Sequence, residues 1–114
     1  MKITRLIVPA VASALLVNLA FAADDVRRGE TVYNGTCIAC HGADGSGALP
    51  SVPDFKDKAG VLAKTDTHLL RSLLDGVERP DAPISMPPKG GDPALTEDDM
   101  KAVLAYIRQN LHPK

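Results

Sequence analysis

The stretch "TCIACHGADGSG", residues 36–47, decides how the rest of the chain is read. It holds the only two cysteines, Cys37 and Cys40, and His41 follows them directly. Three chemistries use cysteines at this spacing: a redox-active dithiol, half of a zinc site, or covalent attachment of a haem. The surrounding sequence discriminates among them.

A thioredoxin-like dithiol belongs beside a βαβ pattern, and no stretch of this chain reads as a strong strand. A structural zinc ion takes four ligands, and no second cysteine pair exists to complete the set. Haem attachment uses all three residues. If residues 37–41 are helical, Cys37 and Cys40 share a face and both reach the vinyl groups along one porphyrin edge. His41 then comes under the ring with its imidazole aimed at the iron. Cys-x-x-Cys-His is the signature of c-type haem attachment.

The 114 residues amount to one domain. The front end has the three-part layout of a secretory leader: Lys2 and Arg5, then an apolar run from Leu6 to Leu19, then "AFA" at 20–22. The run is short of the roughly 20 residues that a spanning helix needs, and Pro9 interrupts it. Residues 1–22 are therefore expected to be a cleavable signal peptide, and residues 23–114 an exported, periplasmic domain with no membrane span. Losing Lys2 and Arg5 moves the formal charge from −1 to −3, too mild and scattered to suggest nucleic acid or an anionic membrane surface.

The expected mature domain has no tryptophan, and its aromatic residues are Phe55, Tyr33 and Tyr106. A domain of this size buries only ~60% of its unfolded surface and is marginal without help. A disulfide across a two-residue gap adds little, because stabilisation by loop closure grows with loop length. A haem would supply the missing apolar volume.

Three helices are expected. The first starts near Asp24 or Asp25 and carries Val26, Gly29 and Tyr33 on one narrow face. The second runs from about Thr65 to Asp75, with Leu69, Leu70, Leu73 and Leu74 as its apolar face and Gly76 at its exit. The third follows Thr96, a good N-cap, and repeats Met100, Val103, Leu104, Ile107 and Leu111 at helical period. Two long Gly- and Pro-rich loops, 42–59 and 78–93, separate them. Loops of that length in a compact domain are usually functional or disordered, and wrapping a cofactor would account for both.

An iron held by His41 has a second axial position. Met100 lies on the apolar stripe of the last helix, where core filling is the better reading. His68 opens the second helix, and His112 stands near the end of the chain. Met86 differs, because "ISMPPKGG" is an irregular loop stiffened by Pro87 and Pro88. Met86 is the expected sixth ligand. Lys89, Gly90 and Gly91 beside it form a candidate docking rim.

"CIACH" at 37–41, "VPDF" at 52–55, "SMPP" at 85–88, Gly29, Tyr33 and "LAYI" at 104–107 together resemble the class I cytochromes c. The resemblance implies the all-α cytochrome c fold, with three main helices and long loops around one covalently bound haem c. It implies that the Pro53 carbonyl accepts a hydrogen bond from His41, that Phe55 packs on the haem, and that Gly29 meets Tyr106 or its neighbours. With His41 and Met86 on the iron no position is open to substrate, so the expected role is electron carriage and not catalysis. The expected partners are redox proteins: a donor dehydrogenase or membrane complex and an acceptor oxidase or reductase, met by a monomer or weak dimer.

Overall fold

A computed structural model describes residues 11–113. Lys2, Arg5 and Pro9 of the expected leader lie outside them. Helix α1 (Val11–Val32) runs unbroken through position 22, which corrects the expected start near Asp24 or Asp25. The reason is local. No glycine or proline occurs from Val11 to Arg28, and the stretch is rich in alanine and leucine, the best helix formers. Asp24 therefore stands inside the helix, paired on its surface with Arg27 at 3.5 Å.

A π-helical turn (Tyr33–Cys37) and a single-turn helix α2 (Ile38–His41) follow directly. Helix α3 (Asp66–Asp75) begins where the Thr65 side chain accepts from the His68 N–H, and it ends at Gly76. Helix α4 (Glu97–Tyr106) starts from a complete capping box, in which Thr96 and Asp99 each accept from the other's backbone. It continues into a π-helical turn, Ile107–Leu111. Among the described residues the only β pairing is an isolated bridge between Val77 and Met86. The architecture is all-α, as expected.

The core forms where α1 crosses α4. A side chain at Gly29 would put its Cβ 2.0 Å from the Ala102 carbonyl oxygen and 2.9 Å from the Tyr106 Cβ. Only glycine permits that approach, and the pairing of Gly29 with Tyr106 is found. Tyr33 packs on Tyr106 with ring centroids 5.4 Å apart. Tyr33, Met100 and Val103 are almost wholly buried, so Met100 is core, as its helical spacing suggested.

Two arginines tie the periphery to this core. Arg28 of α1 donates to Asp99 at 2.8 Å. Arg108 donates to Asp66 and to the carbonyls of Leu62 and Lys64, which anchors the start of α3 on the end of α4.

Candidate haem site

The cysteine motif is presented by the end of the first helical segment. Cys37 closes the π-helical turn and Cys40 and His41 lie in α2, so the region is helical as the haem reading requires. The buried Tyr33 hydroxyl donates to the Gly42 carbonyl at 2.6 Å, which pins the end of α2 to the helix crossing. The loop then folds back, with Gly47 N–H donating to the His41 carbonyl and Ala48 N–H to the Cys40 carbonyl, each at 2.9 Å. Phe55 N–H donates to the Gly45 carbonyl at 2.8 Å and returns its ring to the motif. That ring stacks on the His41 imidazole, with centroids 4.8 Å apart and planes 13° from parallel.

This stacking sets the imidazole plane. His41 Nδ1 is buried and makes no hydrogen bond, so the bond to the Pro53 carbonyl implied by the resemblance is not formed here. Pro53 stands instead in a cavity wall beside His41.

Met86 is held mainly by backbone. Val77 and Met86 exchange two hydrogen bonds, at 2.9 and 3.0 Å. Gly76, at φ 77°, lies so close that a Cβ would fall 2.6 Å from the Met86 carbonyl oxygen. Beyond Pro87 and Pro88, Gly90 takes φ 65°, and a Cβ there would fall 2.8 Å from the Thr36 methyl. Met86 is thus clamped on one side to the exit of α3 and on the other to the residue before Cys37. Sequence reasoning credited the prolines for this stiffness and missed the bridge. Its trace in the sequence is Gly76, whose place after Asp75 equally suits a plain helix exit.

Two adjoining cavities occupy the space between these segments. One, of about 130 Å³, is walled by Cys37, Cys40, His41, Pro53 and Met86. The other, of about 420 Å³, is walled by Phe55, Leu69, Leu73, Leu104 and Ile107, again with His41 and Met86. His41, Met86, Val77 and Arg79 border both. His68 reaches the second wall, whereas Met100 and His112 reach neither.

These residues fit a haem. Two unbridged thiols, a buried imidazole without a hydrogen-bond partner and a thioether converge on one largely apolar space. Burial lowers the His41 pKa, which keeps its nitrogen lone pair available as a ligand at neutral pH. Burial, and secondarily Cys40, pushes the Cys37 thiol up to about 11. A redox dithiol needs the opposite, a depressed pKa that yields thiolate. Among the described residues no group of three or more His, Cys, Asp or Glu side chains is arranged to hold a metal ion, so Cys37, Cys40 and His41 do not form a zinc-type cluster.

The family model for cytochrome c matches residues 26–110. The chain is 30% identical over 92 residues to "Cytochrome c-555" of Prosthecochloris aestuarii, covering 73% of this chain and 85% of that one. It is 32% identical over 92 residues to "Cytochrome c-554(547)" of Halothiobacillus neapolitanus, covering 75% and 96%. A third relative, "Lupanine 17-hydroxylase [cytochrome c]" of a Pseudomonas species, is 31% identical over 83 residues, 71% of this chain but 10% of that protein. No solved structure matches. From the cavity with its convergent sulfur and imidazole groups, and from a match spanning both helical ends, the chain belongs to the class I cytochrome c family, whose members transfer electrons through the iron of one covalently bound c-type haem.

Proposed function

We propose that this cytochrome is a periplasmic single-electron carrier, exported by residues 1–22 and active as residues 23–114. Cys37 and Cys40 would hold the haem through thioether links, and His41 and Met86 would hold its iron. The observation that carries this reading is that His41 and Met86, 45 positions apart in sequence, border both cavities together.

The haem supplies one-electron exchange between Fe(III) and Fe(II), with no bond made or broken to a substrate. His41 offers a neutral nitrogen donor. Met86 offers a soft sulfur that favours ferrous iron and holds the potential up. The Val77 bridge and Gly76 fix the backbone from which Met86 would reach the iron, an arrangement that would leave no position open to a substrate and that suits electron carriage over catalysis. Ile84 lies in the wall of the first cavity and is 41% exposed, which suits the small, transient docking of electron-transfer partners. No helix among the described residues is long and apolar enough to cross a membrane.

Met86→Ala tests the ligation. The variant should bind carbon monoxide rapidly in the ferrous state and show a lower potential than wild type. An unchanged spectrum and potential would remove Met86 from the iron. Amino-terminal sequencing of periplasmic protein should begin at Ala23; a start at Met1 would contradict export by a cleaved leader.

A second reading makes this chain a dedicated partner of one oxidoreductase. The hydroxylase relative favours it, because there a similar segment is a small part of a much longer chain. Size-exclusion chromatography of the holoprotein with periplasmic extract separates the two readings: a free carrier elutes alone, a dedicated partner in a stable complex.

A further inference from the structure

The turn that brings Phe55 onto His41 is built around one carboxylate. Asp44 follows the histidine by three residues. Its Oδ1 accepts from the Ser46 N–H at 3.0 Å and from the Ser46 hydroxyl at 2.7 Å. Its Oδ2 accepts from the Lys56 Nζ at 2.7 Å, across 12 positions of sequence. Asp44 and Lys56 are the immediate neighbours of Gly45 and Phe55, which are joined by the bond from the Phe55 N–H to the Gly45 carbonyl. The ion pair therefore closes the same loop one step farther out.

The inner side of that loop is tightly packed. Gly45 lies so close to its neighbours that a Cβ would fall 3.0 Å from the Phe55 Cδ2 and 3.2 Å from the Leu111 Cβ. The Asp54 carboxylate accepts from the Lys56 N–H at 2.8 Å, which turns the chain about Phe55. The Phe55 ring is buried, whereas Asp44 and Lys56 stay at the surface. Bonds from Lys56 and then Ser46 hold the Asp44 carboxyl below the usual carboxylate range, so the pair is charged at neutral pH. An exposed ion pair adds little to stability, but it can select one position of the segment that carries it. Here that segment carries the ring that stacks on His41. The Nδ1 of His41 makes no hydrogen bond that would fix the imidazole in another way.

We propose that the Asp44–Lys56 pair is a clasp that sets the orientation of the His41 imidazole through Phe55. Both are positioning residues: neither borders the two cavities, and they act on the histidine through the loop between them. A metal-bound histidine is ordinarily oriented by a hydrogen bond from its second ring nitrogen. In this chain aromatic packing takes over that task, and a surface charge pair holds the packing in register. The inference rests on the reading of His41 as an iron ligand.

The test compares ferric holoprotein of wild type, Lys56→Met, Asp44→Asn, Lys56→Arg, Phe55→Leu and Lys101→Met by proton NMR. The hyperfine shifts of the haem methyl groups report how the axial ligands are oriented, which a merely structural role would not move. Lys56→Met and Asp44→Asn change the charge in opposite directions, yet they should redistribute the methyl shifts in the same sense. The double variant should go no farther than either single one, because the two residues act as a unit. Lys56→Arg should keep the wild-type pattern. Lys101→Met breaks an equally exposed pair with Glu97 on α4 and should leave the pattern unchanged. Phe55→Leu removes the ring and should move the pattern most; if it does not mature, the clasp variants decide alone. Wild-type patterns in both Lys56→Met and Asp44→Asn, or shifts of opposite sense that follow charge, would overturn the clasp. An unmoved pattern in Phe55→Leu would overturn it too. A wild-type protein whose iron carries no histidine would overturn the carrier reading along with it.

Discussion

The crossing of α1 with α4 and the loop that carries Met86 are both closed by glycines against backbone, yet they are built differently. At the crossing, two regular surfaces interdigitate: Gly29 admits Ala102 and Tyr106, and Tyr33, Met100 and Val103 fill the space beneath. At the Met86 loop no apolar stripe exists. Position there comes from single contacts between distant segments, namely the Val77 bridge, Gly76 under the Met86 carbonyl and Gly90 against Thr36. The crossing should govern whether the domain stays folded, and the loop should govern the electronic properties of the iron.

The largest expected effect falls on the crossing. Gly29→Ala would normally strengthen a helix, but here its Cβ meets a carbonyl that cannot move aside. The holoprotein should lose about 3 kcal/mol in denaturant unfolding, with little change in potential. A gain in stability would show that the helices do not cross this closely.

Gly76→Ala should cost about 2 kcal/mol through its left-handed backbone and its contact with the Met86 carbonyl. Unlike the change at Gly29, it should also shift the potential, since it displaces the ligand loop. A stability loss with an unmoved potential would blur the distinction between the two regions.

Tyr33→Phe links them, because this residue packs in the crossing while its hydroxyl holds the end of α2 at Gly42. Losing that bond should cost about 1 kcal/mol, measured by thermal unfolding. An unchanged midpoint would mean that the motif is held by its own loop.

The smallest effect is on pH dependence. Bonds from the Thr96 backbone, then its hydroxyl and Arg28, hold the Asp99 carboxyl below the usual aspartate range. Its contribution is complete above the unfolded value of about 4 and is lost as pH falls through the lower folded value. Asp99→Asn should flatten that part of the stability–pH curve. A curve that keeps its acid limb would assign the limb to other carboxylates.

Helix α3, the Thr96 cap and the buried face of α4 were legible because period and capping chemistry are local. The haem motif was legible for the same reason, since five adjacent residues carry it. Met86 could be chosen by eliminating Met100, His68 and His112, but not what holds it. The start of α1 was misjudged because the aspartates resembled a helix start, while the stronger signal was the absence of any breaker before them. The stacking of Phe55 on His41, and with it the missing bond to Pro53, left no local trace, because thirteen residues of irregular loop separate the two rings.

Sequence alone determined the elements and the attachment chemistry: helical period, caps and the spacing of Cys37, Cys40 and His41 act over a few residues, where chain geometry leaves little choice. Only the tertiary structure decided that His41 and Met86 border one space, that Phe55 orients the imidazole, and that Lys56 reaches Asp44. Those contacts depend on how two irregular loops close over the helices. Loop closure is set by the sum of many weak, long-range contacts, and no single stretch of residues encodes it.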